Sequence, residues 1–427
     1  MQRVFSPVAW SLNSNIYEVN VRQYTPEGTF NAFAKHLPRL KDMGVDILWF
    51  MPITPISEEK RQGTLGSYYA CSDYKAINPE FGTLADFTVL VKQAHSLGLK
   101  VIIDWVANHT GCDHVWTNTH PEYFKKDAEG NFYDTHNWHD VIDLNYYDHN
   151  MRTDMIDAMK FWVKQCNIDG FRCDMCHLVP LDFWSQARVE LDAVKPLFWL
   201  GETLDVPYLN VFDCLYGWRW MSATQKYYRK EITMSQLLDT LNHYQFDLPS
   251  GTFPMLFTSN HDENTWNGTE YEKYGDLAKP LAVFNSTWNA VPLIYTGQEL
   301  PLHKRLPFFD KDEISWNGTP ELHDFYKTLL QLRKQHPALM AGETAKPQII
   351  TTSEGEHILS FERKHDGKEI LVILNFSPNE LTVQLTGSHV HGKFTNVFTR
   401  QPVTVNAAFA PQLKGWEYLV LVKGLRD

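Results

Sequence analysis

The sequence predicts an α/β fold: a TIM-type (β/α)8 barrel with a short domain B inserted after its third strand and a C-terminal antiparallel β domain. Three observations carry this reading. A unit of β-type run, helical pattern and glycine stop recurs through the first half. Eight β-type runs occur before residue 300. Beyond residue 345 the helical periodicity gives way to short β runs.

Residues 16–21 (IYEVNV) read as the first strand. Phe30, Phe33, Leu37 and Leu40 then recur at helical spacing until Gly44, and DILWFMP follows as a buried strand. In the second unit Thr83 and Asp86 form a capping pair. Leu84, Phe87, Leu90, Val91, Ala94 and Leu97 share one helical face, Gly98 ends it, and VIIDWV is the third strand. The third helix carries Met155, Met159, Trp162, Val163 and Cys166 and leads through Asp169 and Gly170 into FRCDM. FWLGE (198–202), VFDCLY (211–216), MLFTSN (255–260) and PLIYTG (292–297) complete eight runs, the number that closes a barrel.

Between VIIDWV and the helix beginning near Asn150 lie about forty polar, His-rich and aromatic residues without periodicity, a length that marks a functional loop or small subdomain. The barrel is therefore expected over 1–106 and 148–345, with the insert over 107–147. Leu322, Phe325, Tyr326, Leu329 and Leu332 form the last helical pattern, which stops at His336-Pro337. HILSFERK, KEILVILNF and EYLVLVK, with turns at Glu354-Gly355 and Asp366-Gly367, make 346–427 a separate β domain.

Composition narrows the partners. With 427 residues, 43% hydrophobic and 21% charged, the chain can bury a large core. A net charge of -12 argues against nucleic acid and anionic membranes, which attract basic surfaces. Aromatic residues reach 14%, and flat rings suit sugars as well as cores. Trp218, Trp220, Tyr227 and Tyr228 fit either use. Six scattered cysteines read as mostly reduced thiols. No run is long enough to span a bilayer, and the start, MQRVFSPVAWSLNSN, lacks the pattern of a leader, so a cytoplasmic location is expected. Oligomeric state is not legible.

Ionisable residues gather at four strand ends, where a barrel builds its active site. The third strand brings Asp104 with Asn108 and His109, the fourth Arg172 and Asp174, the fifth Glu202, and the seventh His261 and Asp262. Alternation puts Arg172 and Asp174 on one face, where the Arg charge is expected to hold the Asp ionised as a nucleophile. Glu202 has no adjacent basic residue in sequence, and nearby carboxylates favour its protonated form. Two carboxyls of divergent character across one cleft suit glycoside hydrolysis. A lone strand-end Asp is more often a cap or an ion-pair partner; the clustering is what argues for chemistry.

On these residues the chain resembles the α-amylase family, glycoside hydrolase family 13. DWVANH (104–109), GFRCD (170–174), GE (201–202) and SNHDEN (259–264) resemble its motifs in order, and DLN (143–145) resembles a further one near the end of its inserted domain. The resemblance implies a retaining hydrolase of α-1,4-glucosidic bonds in starch, glycogen or maltooligosaccharides, with Asp174 as nucleophile, Glu202 as acid/base and Asp262 as transition-state stabiliser. It implies that His109, His261 and Tyr69 bind the sugar at the cleavage point, that Arg172 orients Asp174, and that Asp104 holds Arg172. Alternatives are a glucanotransferase, an α-glucosidase or trehalose-active enzyme, or a non-catalytic sugar-binding homologue.

The chain departs from the family three and four residues after the nucleophile. His177 and Leu178 stand where starch-cleaving members often carry Lys-His, which weakens both leaving-group binding at His177 and a calcium ligand there. The resemblance implies Asn108 as a structural calcium position, and Asp113, Asp127, Asp134 and Asp140 offer further oxygens. We expect the barrel to fold without calcium and the chemistry to need no cofactor. His136 and His139, beside Asp140 and Asp143, read as surface or subsite histidines before metal ligands. Cys173 to His177 matches the C-x-x-C-H haem signature, yet it overlaps a strand end, and packed thiols are the expectation.

Overall fold

The computed structural model describes residues 4–386 and 389–424. Met1 to Arg3, at the head of the stretch considered for a leader, lie outside them. Eight parallel strands close a barrel: β1 (Ile16–Val19), β2 (Ile47–Phe50), β3 (Lys100–Trp105), β4 (Gly170–Cys173), β5 (Phe198–Gly201), β6 (Cys214–Tyr216), β7 (Pro254–Leu256) and β8 (Val291–Tyr295). Each strand pairs with its neighbours in chain order, and β8 returns to β1.

Side-chain alternation sorts the strand residues into two cores. Ile16, Ile47, Trp49, Ile102, Phe198 and Leu200 fill the barrel interior. Their neighbours Leu48, Phe50, Ile103, Phe171 and Trp199 face the helices. Asp104 and Arg172 continue the interior rows, and the register sets them side by side. Gly170 permits this pairing: a Cβ there would lie 2.1 Å from the carbonyl oxygen of Phe198 on β5.

Thr83 and Asp86 cap the helix Leu84–Ser96 reciprocally, and the helix His149–Cys166 starts within a residue of its expected beginning. The helical pattern from Phe30 onward splits into Phe30–Ala34 and Leu37–Met43, because Pro38 lacks the N–H that a continuous helix would use. β6 and β7 are shorter than their apolar runs. Phe257 to Asn260 continue beyond β7 as buried residues outside the sheet.

In the insert, His109–Gly111 pairs antiparallel with Val141–Asp143. After the barrel, a six-stranded antiparallel sheet runs in the order Gln348–Ile349, Ile358–His365, Lys368–Asn375, Tyr418–Lys423, Gly392–Asn396, Pro402–Val405. One face, with Phe361, Ile370, Val372 and Val420, packs on Phe284, Trp288 and Leu329 of the barrel's helices. Trp220 belongs to this seam, stacked 4.3 Å from Phe284, while Tyr227 packs on Phe376 and Tyr228 on Trp416. Those aromatics therefore serve packing. Among the described residues no helix is long and apolar enough to cross a membrane. All six cysteines are buried, and none forms a disulfide.

Candidate active site

The site is built on Arg172, which has no exposed surface. Its Nη1 donates to Asp104 Oδ1 and to Asp174 Oδ1, both at 2.8 Å, and its Nε donates to the Tyr216 hydroxyl at 2.9 Å. Nη2 lies 2.8 Å from Glu202 Oε2. That contact is an ion pair without hydrogen-bond alignment, since Nη2 lacks a directed partner and Oε2 accepts from the Met175 amide at 2.8 Å. Asp104 is held further by Tyr69 (3.0 Å) and Trp49 (3.3 Å), both donating to Oδ2. One guanidinium thus gathers carboxyls from β3, the end of β4 and the end of β5.

Burial raises all three carboxyls and Arg172 opposes it: Asp104 and Asp174 are pushed up to about 6 and Glu202 to about 7. The expectation that Arg172 keeps Asp174 ionised is corrected to the range above its raised value, because burial outweighs the neighbouring charge. For Glu202 burial also comes first, with Asp174 and Asp262 adding to it. Asp174 and Glu202, facing one guanidinium, titrate as a coupled pair whose protons burial holds above the usual carboxylate range.

Asp262 follows the opposite course. Burial acts to raise it, but the charge and hydrogen bond of His261, with Arg172 and Trp266 assisting, bring it below the usual carboxylate range. His261 Nδ1 is 2.5 Å from Glu18 Oε1, and Nε2 is 3.2 Å from Asp262 Oδ2 and 2.7 Å from the Tyr69 hydroxyl. A carboxyl facing each ring nitrogen favours the imidazolium form of His261. Its pKa is accordingly held well above the ordinary histidine value, although burial alone would lower it. His109 is the contrast. Burial lowers it to about 4 and keeps it neutral, and Trp138 stands edge-on at 5.2 Å.

A cavity of about 330 Å3 opens over these groups, and Tyr69, His109, Trp138, Asp174, Glu202 and Asp262 are among its lining residues. A wider cavity of about 1140 Å3 is lined by Asn108, Lys125, Tyr147 and Leu178 among others, and by none of Asp174, Glu202 and Asp262. The smaller one is the chemical site on the ground of what lines it.

His177 stands apart, exposed on the turn Cys176–Leu178, and does not line the acid-bearing cavity. Cys173 and Cys176 have no exposed surface, so packing and not haem attachment accounts for the C-x-x-C-H match. Sequence reasoning missed Glu18, Tyr216, Trp138, Trp266 and Phe308. Only Glu18 left a signal, an acid in an otherwise apolar strand.

Several of the carboxylates offered for calcium already hold backbone amides, while Asp113 Oδ1, Asp134 Oδ1 and Asp140 Oδ2 are buried without a hydrogen-bond partner. Asp113 accepts the amides of Glu58 and Glu59, Asp127 that of Asn131, and Asp134 those of His136 and Trp138. The Asn108 amide faces His109 Nδ1 at 3.2 Å. Asp143, the buried carboxylate beside them, already takes the Lys125 ammonium at 2.8 Å and the Thr135 hydroxyl at 2.7 Å. Among the described residues no three His, Cys, Asp or Glu side chains gather as a metal site, and this covers His136 and His139.

A closed parallel barrel with clustered acids at the C-terminal ends of its strands defines a class, the barrel hydrolases. Comparison with known proteins then specifies the family. The model for the α-amylase catalytic domain matches residues 10–140 and 122–191, and that for the maltogenic amylase C-terminal domain matches 348–420. An α-amylase from Lactobacillus plantarum is 31% identical, with a TM-score of 0.88 over 97% of this chain and 99% of that one. A noncanonic maltogenic α-amylase, AmyB from Thermotoga neapolitana, is 32% identical, with a TM-score of 0.87 and the same coverage. The α-amylase MalA of Haloarcula japonica is 27% identical over 90% of this chain, which spans 58% of MalA's length. The chain belongs to the α-amylase family, glycoside hydrolase family 13.

Proposed function

We propose that this protein is a retaining hydrolase of α-1,4-linked glucans, acting on maltooligosaccharides and the chains of starch or glycogen. The observation that carries the reading is the shared guanidinium. Asp174 and Glu202 bind adjacent nitrogens of Arg172 at 2.8 Å each, so the two carboxyls stay close, as double displacement needs (roughly 5–5.5 Å).

Glu202 donates its proton to the glycosidic oxygen as the bond to C1 breaks. Asp174 attacks C1 and forms the glycosyl ester. Glu202, now a carboxylate, takes a proton from water as that water attacks C1 and releases Asp174. Asp262, ionised against His261, stabilises positive charge on the ring in both steps. His109, neutral and accepting at Nδ1 from Asn108, offers its other nitrogen as a donor to a sugar hydroxyl, and Tyr69 offers a ring face. The proposed steps use no metal, and Lys125 pairs with the buried Asp143 in the insert at 2.8 Å. The melting temperature is expected to stay unchanged in excess EDTA.

The test is a fluorinated slow α-glucosyl substrate. It should leave the mass of one glycosyl group on a peptide containing Asp174 and none on Asp174→Asn. Labelling elsewhere, or an Asp174→Asn variant that cleaves maltooligosaccharides like the parent, would refute the assignment. A product panel on soluble starch, maltooligosaccharides, pullulan, isomaltose and trehalose separates hydrolysis from transfer, which lengthens chains.

A further inference from the structure

We infer that the cleft is closed at its glycone end, so that the enzyme works inward from non-reducing chain ends and releases short products. The inference rests on the proposed role of Glu202. A general acid protonates the leaving-group oxygen, so the leaving group lies on the β5 side of the barrel mouth. Around a ring of eight strands β1 stands opposite β5, and the glycone therefore extends toward β1 and the loops after its neighbours β2 and β8.

Those two loops meet. Gln62 from the loop after β2, with Phe308 and Phe309 from the loop after β8, lines the cavity. The Leu65 amide donates to the Phe309 carbonyl at 2.9 Å, and the Thr64 amide and hydroxyl donate to Asp310 Oδ1 at 2.9 and 2.6 Å. Gly63, in the left-handed region at φ +61°, sits so close that an added Cβ would fall 2.5 Å from the Phe309 Cβ.

The junction is tied from below by Arg22, which has no exposed surface. Its guanidinium donates to the carbonyls of Gly66 (3.1 Å) and Leu65 (3.3 Å) on one loop and of Phe308 (3.3 Å) on the other, while Glu80 neutralises it at 2.8 and 3.2 Å. The Gln23 amide adds bonds to the carbonyls of Pro307 (3.0 Å) and Asp310 (2.8 Å). Phe308 also lies nearly parallel to Tyr69, 5.9 Å away and at 16°. The wall is thus continuous with the ring expected to face the sugar at the cleavage point. At about 330 Å3 the cavity is at the small end of ligand sites (roughly 300–1,000 Å3).

The experiment compares two maltoheptaoses labelled at the reducing end, one with a free non-reducing end and one capped there by a 4,6-O-alkylidene group. Loss of the seven-unit chain is followed with the wild-type protein. The free chain should be consumed through regularly shortened intermediates, and the capped chain about 100-fold more slowly, because the wall rejects the added bulk. Phe309→Ala, which thins the wall, should raise the capped-to-free ratio about tenfold. Equal rates on the two chains in the wild type overturn the inference while leaving the hydrolase reading intact. An unchanged ratio in Phe309→Ala overturns the wall as its cause. Failure to cleave either chain removes the hydrolase reading and this inference together.

Discussion

Arg172 and Arg363 are both without exposed surface, yet they are buried on opposite terms. Arg172, at the barrel mouth, meets three carboxyls, which raise its affinity for its proton against the effect of burial. Arg363, in the seam between barrel and C-terminal sheet, donates to backbone carbonyls, among them Ala345 at 2.7 Å, Trp288 at 2.8 Å and Met340 at 2.6 Å. Burial, with Arg333 nearby, pulls its pKa well below the usual value. The mouth collects unlike charges whose protons can move, and the seam spends a charge on satisfying chain termini of helices and loops. The first arrangement suits chemistry; the second suits docking.

The contrast can be broken from either side. Arg172→Met should lower kcat/KM by about 10^3-fold or more, because it removes the group that orients Asp174. Its urea midpoint should move little at mildly acid pH, where the freed carboxyls are protonated. Arg363→Met should do the reverse, costing about 3 kcal/mol of stability through stranded carbonyls while kcat/KM of the folded fraction stays at the parental value. Loss of activity per folded molecule in Arg363→Met would erase the distinction.

The mouth also carries a pH signature. A carboxyl whose folded pKa is raised favours the protonated folded state. Its penalty is absent below the unfolded value of about 4 and complete above the folded one, so stability falls as pH rises between them. For Glu202 that window ends at about 7. Glu202→Gln should therefore be more stable than the parent above that pH and equal to it near pH 4, read by urea unfolding at both. Activity in the parent should follow a bell, falling as Asp174 protonates below about 6 and as Glu202 ionises above about 7.

The smallest effect concerns Glu18. Glu18→Gln leaves His261 facing one carboxylate instead of two, so its imidazolium titrates lower and Asp262 loses counter-charge. About a tenfold loss in kcat with little change in KM is expected, and His261 should show a downward-shifted titration by NMR. An unchanged titration would mean that Asp262 and the buried surroundings hold the proton alone.

Much of the mouth was legible because strands alternate. Asp104 and Arg172 could be set on the interior face from their own strands, and Asp174, Glu202 and Asp262 from their places just beyond strand ends. What was not legible is long-range. Glu18 and His261 lie 243 residues apart, and no local pattern pairs them. Arg172 reaching Glu202 depends on the curvature of the sheet, and the meeting of Thr64 with Asp310 depends on two loops of unpredictable course. Hydropathy also overstated β6 and β7, since buried loop residues read like strand residues.

By itself, the sequence determined the barrel, the insert after its third strand, the β domain behind and the identity of the acids at the mouth. These follow from periodicity and local capping, which are written in neighbouring residues. Only the tertiary structure decided that burial raises those acids together, the charge on His261 and the closing of one end of the cleft. Burial and the approach of distant charges set these, and both arise only when the chain has closed on itself.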